Sequence, residues 1–347
     1  MYLRKIILVI ALLGIVIGGI FVYKIYNAIF TPNTTFSNKQ AYIYISTDAT
    51  YNDVSEQLKP LLKDLKSFSM VADRKGYTNN IRAGKYAISK GMNNNEIINS
   101  LRSNNIAVRV TFNNQNTLAD LAGRISNQIE ADSISLVTAF NDINFLSENG
   151  FSTDTALAMF LPNSYEFFWN TSATQFRGKM LKEYNKFWNT NRLNNAKEIG
   201  LTKLEVISLA AIVHEESKKI DERPRVAGLY LNRLKQDMLL QADPTVIFAI
   251  RKHSGDFNKV IKRVLYKDLE LDSPYNTYKY AGVPPGPISM PDISAIDAVL
   301  NAEAHNYLFF VADVSNFGYH KFAKTLVQHN ANKRQYIKWL NKKGIQR

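Results

Sequence analysis

The residue best placed for acid–base chemistry in this sequence is Glu216. At about 100° per helical residue, Leu209, Ile212 and Val213 fall within about 60° of it, so its carboxyl projects from an apolar face. Desolvation on such a face raises the pKa of a carboxyl group. A carboxyl that stays protonated near neutral pH is a suitable general acid for the departure of a glycosidic oxygen. The alternative is a helix that ends here, with Glu216 in water and paired with one of the two lysines that follow.

The helix expected to carry Glu216 is indicated by its first turn. Thr202 and Glu205 fit the S/T-x-x-E capping box, which predicts a helix that begins one residue after Thr202 and runs through LEVISLAAIVHEESKK. On this helix Glu215 lies about 100° from Glu216, and His214 lies nearly opposite. Of the two adjacent glutamates, the helical geometry therefore favours Glu216 as the acid.

A zinc hydrolase is the second class of enzyme to consider, because His214-Glu215 begins like the HExxH motif. The sequence continues as Glu216-Ser217-Lys218, so the second histidine of that motif is missing. The other histidines show no paired spacing; they are His253, His305, His320 and His329. The absence of cysteine excludes disulfides, thiolate metal sites and a cysteine nucleophile. We therefore expect no metal and no other cofactor.

Two segments downstream have features of a sugar-binding cleft. Pro274–Tyr278 combines aromatic faces with amide and hydroxyl groups in one irregular stretch, and sugars both stack on rings and form hydrogen bonds at their edges. The run GVPPGP at 282–287 is a rigid turn that can fix a loop beside a cleft. The spacing of these residues alone does not name a reaction.

Taken together, these segments resemble the MltG (YceG-like) family of endolytic murein transglycosylases. The similarity extends from the N-terminal apolar segment to near the C-terminus and is strongest over Leu209 to Asn330. The matching segments are IVHEES, the NRL at 232–234, LQADPTVIF, SPYNTY, GVPPGPI, and His320, Phe322, His329 and Asn330. The sequence departs from the family pattern at His214, where another glutamate is common, and at Asn163 and Ser164, which replace Asp and Thr.

The resemblance implies a catalytic carboxylate at Glu216 and a mechanism that needs only one carboxyl. Glu216 would protonate the oxygen between MurNAc and GlcNAc, and would then take the proton of the MurNAc C6 hydroxyl as a 1,6-anhydro ring closes. The candidate substrate-binding residues are Asn232, Gln241, Asp243, Tyr275, Asn276, Tyr278 and His320. A purely structural role stays open for each of them, and Asp243 could simply cap a helix.

The chain in front of this region begins with a predicted membrane anchor. Ile6 to Tyr23 carries no charge and is long enough, as a helix, to cross a bilayer. A cleaved signal peptide is the alternative, but the run is longer than usual and no small-x-small cleavage site follows it. Arg4 and Lys5 favour a cytoplasmic N-terminus. We expect a single-pass protein of the inner (cytoplasmic) membrane, with the catalytic domain on the extracytoplasmic side.

The predicted fold class is α+β, in four segments. Residues 1–30 form the cytoplasmic N-terminus and transmembrane anchor, and 31–40 form a polar linker. Residues 41–112 alternate strands and helices, among them a helix expected over TYNDVSEQLKPLLKDLKSF, and correspond to the LysM-like module of the family. Residues 113–347 form the mixed α+β YceG-like catalytic domain.

The charge of the chain bears on its partners. Its 43 Lys and Arg against 30 Asp and Glu give a formal net charge of +13, which favours an anionic neighbour. Nucleic acid is disfavoured because no RNP-like motif or zinc-finger spacing is present. The resemblance implies peptidoglycan glycan strands as substrate and contact with peptidoglycan synthases. A non-catalytic, membrane-anchored scaffold that binds the wall is the alternative from a different class.

Overall fold

The computed structural model describes residues 2–343 and divides the chain into two compact units. The first unit runs to Val110 and also takes in Gln128–Ala131 and Tyr165–Ser172. The second unit comprises Thr111–Asn127, Asp132–Ser164 and the residues from Ala173 onward. The sequence predicted separate segments at 41–112 and 113–347. Two short stretches of the second segment, Gln128–Ala131 and Tyr165–Ser172, belong instead to the first unit.

The first unit is a small α/β structure attached to a long helix. Its elements are α1 (Tyr2–Phe30), β1 (Gln40–Ile45), α2 (Tyr51–Leu58), α3 (Leu65–Arg74), β2 (Gly84–Ser89) and α4 (Asn94–Ser103). The strands β1 and β2 form an antiparallel pair in which Gln40 faces Ser89. Phe68, Tyr86 and Ile97 belong to the buried core of this unit. Its likeness to LysM stays a prediction.

The single helix expected after Thr50 is divided into two. The first, α2, ends at Leu58, and α3 begins at Leu65. Pro60 lies between them, where its ring clashes with helical continuation and it has no N–H to donate. Asp64 then starts the second helix by accepting a hydrogen bond from the Ser67 N–H at 3.1 Å.

Helix α1 fits a single-pass membrane anchor. It has 29 residues with a mean hydropathy of 3.0 in its most apolar window, and none of that window is buried in the protein. Within residues 2–343 it is the one helix long and apolar enough to cross a membrane. The helix extends beyond the predicted apolar run Ile6–Tyr23 at both ends.

The segment 31–40, predicted as a polar linker, packs onto the first unit. Asn33 and Thr34 are buried, and the Asn33 side chain donates to Asn94 Oδ1 at 2.7 Å and to the Asp64 carbonyl at 2.8 Å. Asn94 in turn donates to the carbonyl of Ala28 in α1 at 2.7 Å. The end of the anchor helix is therefore tied to the module by buried amide groups.

The second unit is mainly helical. Its helices are α5 (Leu118–Ser126), α6 (Ser133–Phe140), α7 (Ile143–Glu148), α8 (Ala173–Phe187), α9 (Thr190–Glu198), α10 (Lys203–Glu216), α11 (Arg223–Leu234), α12 (Asp243–Ser254), α13 (Ile293–Leu300) and α14 (Leu326–Lys342). Its antiparallel hairpin consists of β5 (Phe309–Ala312) and β6 (His320–Ala323). A further strand pair consists of β3 (Ala107–Phe112) and β4 (Asn163–Phe168), and most residues of both strands belong to the first unit. The mixture of strands and helices agrees with the predicted α+β class.

Helix α10 occupies the core of the second unit. Thr202 and Glu205 form the predicted capping box, and the helix begins at Lys203 as expected. Every residue from Val206 to His214 is buried, so the helix is surrounded by protein on all sides instead of having one apolar face. It ends at Glu216, three residues earlier than predicted, because the next residue has an extended backbone.

Candidate active site

Glu216 lies at the C-terminal end of α10, in a cleft of about 400 Å³ within the second unit. The helices α10, α11, α12 and α14, the strand β5 and the irregular segment before α13 contribute to its lining. The lining residues with polar or aromatic side chains are Glu216, Tyr230, Arg233, Gln241, Asp243, Tyr278, Phe309, Phe310, His329 and Lys333. A carboxyl group held by a rigid helix therefore meets a space large enough for part of a ligand.

The environment of Glu216 favours its protonated form. Burial raises the pKa of Glu216 to about 7, although the Tyr230 hydroxyl donates a hydrogen bond to Oε1 at 3.1 Å and opposes the rise. The charge of Asp243 adds to the rise, and that of Arg233 lowers the pKa. The direction is the one expected from the sequence, and its largest cause is the desolvation of the Glu216 carboxyl. A carboxyl with this pKa can both give and take a proton near neutral pH.

Tyr230 and Arg233 are three residues apart on α11, and both face the cleft. Burial raises the pKa of Tyr230 well above its ordinary value, so its hydroxyl stays protonated and donates to Glu216. The buried Arg233 donates from Nε to the Leu308 carbonyl and from Nη1 to the Leu240 carbonyl, each at 2.7 Å. Arg233 thereby links the residues that precede β5 to the residues that precede α12, on either side of Glu216.

Three of the predicted substrate-binding residues line the cleft with Glu216: Gln241, Asp243 and Tyr278. The Tyr278 hydroxyl donates to Asp243 Oδ1 at 2.6 Å. Gln241 has a φ of 48°, a left-handed conformation that is uncommon for a residue with a side chain. Its N–H donates to the Thr277 carbonyl at 3.0 Å, which holds the two segments together. Asp243 begins α12 without making a side-chain cap, so the alternative of a capping residue is not what is observed.

The other four predicted residues are not among those that line the cleft. The side-chain amide of Asn232 donates to the carbonyls of His305 and Tyr307, and that of Asn276 donates to two carbonyls in the preceding turn. Tyr275 is buried against Phe248, with ring centroids 4.6 Å apart. These contacts are structural, and a part in substrate binding stays a prediction for each residue.

His320, the fourth of them, belongs to a buried cluster next to the end of α10. The Glu222 carboxylate accepts hydrogen bonds from the His320 N–H at 2.6 Å, from His320 Nδ1 at 2.9 Å and from the Ser217 hydroxyl at 2.9 Å. A carboxylate can only accept, so Nδ1 carries the hydrogen. Burial raises the pKa of Glu222, but these hydrogen bonds outweigh it and lower the pKa below its ordinary value. The cluster fixes the backbone that follows Glu216.

The neighbours of Glu216 in the motif have different surroundings. His214 is buried, and its Nδ1 lies 3.1 Å from the Arg223 guanidinium, which can only donate. Burial lowers the pKa of His214 and outweighs the opposing charge of Asp292, whose Oδ2 lies 3.2 Å from the same Nδ1. Glu215 accepts a hydrogen bond from the Ser289 hydroxyl at 3.1 Å and pairs with Lys218. Over residues 2–343, His, Cys, Asp and Glu form no group of three or more that could hold a metal ion.

Several residues of the cleft were not predicted as site residues, chiefly Tyr230, Arg233, Phe310 and Lys333. Arg233 occurs in the NRL segment at 232–234 that carries the family resemblance, and Tyr230, three residues earlier, falls on the same helical face. That spacing was the available signal. It does not reveal which of the many buried tyrosines donates to a carboxyl.

The chain was compared with known proteins. The sequence profile of the YceG-like family matches residues 43–335. A Bacillus subtilis protein named endolytic murein transglycosylase is 31% identical over 95% of this chain and 93% of its own length. A Streptococcus pneumoniae protein of the same name is 25% identical over 92% of this chain and 62% of its own length. The crystal structure of a YceG-like protein from Listeria monocytogenes superposes with a TM-score of 0.56 at 26% identity, covering 85% of this chain and 99% of that one. The chain therefore belongs to the YceG-like family.

Proposed function

We propose that this protein is an endolytic murein transglycosylase that cleaves the MurNAc–GlcNAc bond of nascent glycan strands and leaves a 1,6-anhydro-MurNAc end. The observation that carries the proposal is a carboxyl with a pKa of about 7, Glu216, which faces a cleft in a chain of the YceG-like family. The names of the Bacillus and Streptococcus relatives support the same activity. The cleavage would end the elongation of a strand.

Glu216 carries out both proton transfers in this proposal. Its protonated carboxyl gives a proton to the bridging oxygen, the bond from that oxygen to MurNAc C1 breaks, and positive charge develops at C1. The resulting carboxylate takes the proton of the C6 hydroxyl as O6 attacks C1. The ring closes, Glu216 regains its proton, and no water is consumed. Because the two transfers need opposite protonation states, a pKa near neutrality suits both.

Tyr230 and Arg233 act as positioning residues for the acid. The hydrogen bond from Tyr230 fixes the direction of the Glu216 carboxyl and stabilises the carboxylate formed after the first proton transfer. Arg233 holds the surrounding backbone and brings a positive charge that lowers the pKa of Glu216. Gln241 and Tyr278, which line the cleft, are proposed to contact the sugar.

Hydrolysis is a second candidate reaction, because Asp243 lies in the same cleft as Glu216. Glycoside hydrolases use a pair of carboxyl groups, one as acid and the other as base or nucleophile. One oxygen of Asp243 already accepts a hydrogen bond from Tyr278 at 2.6 Å, which favours a supporting role for it. The two reactions differ in product, since hydrolysis leaves a reducing end.

We further propose that α1 holds the enzyme in the cytoplasmic membrane with the second unit on the extracytoplasmic side. Arg4 and Lys5 precede the apolar run and favour a cytoplasmic N-terminus. In this position the enzyme meets strands as they are polymerised, so contact with peptidoglycan synthases is expected. A scaffold that binds the wall without cutting it would not require the protonated carboxyl of Glu216.

The test uses the full chain in detergent and its Glu216→Gln variant, each incubated with uncrosslinked glycan strands. Mass spectrometry of the products identifies the new ends. Internal cleavage to anhydro ends by the wild type but not by the variant supports the proposal. Reducing ends would favour hydrolysis and direct attention to Asp243. Binding without cleavage by either protein would support the scaffold.

A further inference from the structure

A second pocket of about 570 Å³ adjoins the Glu216 cleft. The two share Asp243, Tyr278 and Lys333 in their linings, so they are neighbours in the second unit and meet at these three residues. The far side of the second pocket comes from the segment between α12 and the turn Tyr266–Glu270, and from the last turns of α14. A molecule bound at Glu216 therefore has a direct way into this pocket.

The second pocket is basic. Lys262, Arg263 and Lys333 line it, while Asp243 is its one acidic lining residue. Asp243 accepts a hydrogen bond from Tyr278. All three basic residues are exposed, and none of their side chains takes part in a hydrogen bond or ion pair with another of the residues 2–343. Three unpaired cations around one depression attract an anionic group.

The chemistry of the proposed substrate identifies that group. The sugar backbone of a glycan strand is uncharged. In a strand with stems the lactyl carboxyl of MurNAc forms the amide to the stem, so the free carboxylates lie on the stem peptide. On the basis of the proposed function, we propose that this second pocket binds the carboxylates of the stem peptide next to the bond that is cut. Arginine and lysine bind carboxylates through charge-assisted hydrogen bonds. Leu265 and Leu340 in the same lining offer apolar contact to alanine methyl groups of a stem.

This assignment predicts that the enzyme distinguishes glycan strands with stems from strands without them. The basic residues at 262 and 263 line only the second pocket and are absent from the lining of the Glu216 cleft. Their replacement should therefore weaken binding of the stem and leave the chemistry at the acid unaffected. A loss of activity on strands with stems and on strands without them would not come from weaker binding of the stem.

The experiment compares the full-length wild type with the double variant Lys262→Gln/Arg263→Gln. The substrates are uncrosslinked strands with intact stems and the same strands after an amidase has removed the stems, which leaves a lactyl carboxylate on each MurNAc but removes the peptide and its carboxylates. We expect kcat/KM of the double variant to fall about fivefold to tenfold on strands with stems, since each exposed charge pair contributes modestly. On strands without stems the double variant and the wild type should agree within about twofold, and the loss should shrink in high salt.

A matched control is available on α14. Arg334 and Lys338 are exposed, follow Lys333 by one and five residues, and do not line either pocket. The variant Arg334→Gln/Lys338→Gln removes the same net charge and should leave kcat/KM unchanged on both strands. An equal loss in this control would overturn the pocket and assign the effect to overall charge.

The affinity of the same strands is measured in parallel in the Glu216→Gln background. A loss of affinity confined to strands with stems supports the pocket, and equal affinities with and without Lys262 and Arg263 overturn it. Equal losses on strands with and without stems also overturn it. If the wild type cleaves neither strand, the proposed function fails, but these affinities still decide whether the pocket binds stems.

Discussion

Two glutamates six positions apart, Glu216 and Glu222, have opposite properties in this protein. Glu222 is 4% exposed and accepts three hydrogen bonds, two from His320 and one from Ser217, and its pKa is lowered. Within the described part of the chain the Glu216 carboxyl accepts one hydrogen bond, from Tyr230, and burial raises its pKa to about 7. The number of donors around each carboxyl, and not its burial alone, decides which group holds its charge and which holds a proton.

The difference assigns separate tasks to the two groups. A carboxylate satisfied by three donors stabilises the backbone between α10 and α11, because it joins the residue after Glu216 to the strand β6. A carboxyl with one donor is costly to ionise and so remains available for proton transfer. Enzymes that use acids and bases commonly separate the pKa values of neighbouring groups in this way.

The largest expected effect is on turnover. Glu216→Gln should lower kcat on uncrosslinked strands by about 10²- to 10⁴-fold, because the amide can neither give nor take the proton. Glu222→Gln should lower it less than about tenfold, since Glu222 only supports the backbone. Both rates are measured from the release of new strand ends. A loss in Glu222→Gln as large as that in Glu216→Gln would remove the distinction between the two groups.

The second effect is on stability and falls on the other glutamate. Glu222→Gln should lower the free energy of unfolding at pH 7 by about 2–4 kcal/mol. The substitution replaces one acceptor oxygen with an NH₂ group, so donors that bonded to that oxygen lose their acceptor. The pKa of Glu222 is lowered in the folded state, so its stabilisation is present above its ordinary pKa of 4.5 and is lost as the pH falls through the folded value. Denaturant unfolding at pH 7 and below pH 4 checks both statements. A loss of equal size at the two pH values would contradict them.

The third effect has the opposite sign and falls on Glu216. Its folded pKa of about 7 exceeds the ordinary 4.5, so between these values the folded state holds a proton that the unfolded chain has released. Stability therefore falls as the pH rises through this window. Glu216→Gln removes the cost, and the variant should be more stable than the wild type by about 1–3 kcal/mol at pH 8, with no gain at pH 4.5.

The adjacent glutamate supplies the control for this measurement. Glu215→Gln changes a partly exposed carboxyl that contacts Ser289 and Lys218, and it should alter stability by less than about 0.5 kcal/mol at either pH. A gain at pH 8 in Glu215→Gln, or none in Glu216→Gln, would mean that the cost of ionisation has been assigned to the wrong carboxyl.

Local patterns in the sequence were enough to predict the start of α10 and the direction of the pKa of Glu216. The capping box needs only Thr202 and Glu205, which are neighbours in the chain, and the apolar residues before Glu216 indicate burial. The same patterns could not predict where the helix ends, since the turn at Ser217 is held by Glu222 and by contacts of Arg223. Those contacts depend on tertiary packing.

The residues that surround Glu216 could not be predicted from the sequence for the same reason. Asn232 and Asn276 carry the polar groups expected in a sugar site, yet their amides bind backbone carbonyls. In the sequence Tyr230 resembles an ordinary core residue, because its contact with Glu216 forms only when α10 and α11 pack together. Residue type therefore indicated Glu216 as the candidate acid, whereas only the folded chain reveals which polar side chains are already occupied and which face the cleft.

The smallest expected effect concerns the single hydrogen bond that separates the two glutamates. Tyr230→Phe removes the one donor to Glu216, and this hydrogen bond lowers the pKa of that carboxyl. The pKa should therefore rise further above 7, and the fall of kcat/KM on the alkaline side should move to higher pH, since the first proton transfer needs the protonated acid. At pH 7 kcat should fall about twofold to tenfold, because the carboxylate formed after that transfer has lost its donor. The control is Tyr77→Phe in the first unit, a buried tyrosine whose hydroxyl has no hydrogen-bond partner among residues 2–343. It should leave the pH profile unchanged, whereas an alkaline limb that stays in place in Tyr230→Phe would show that Tyr230 does not tune the acid.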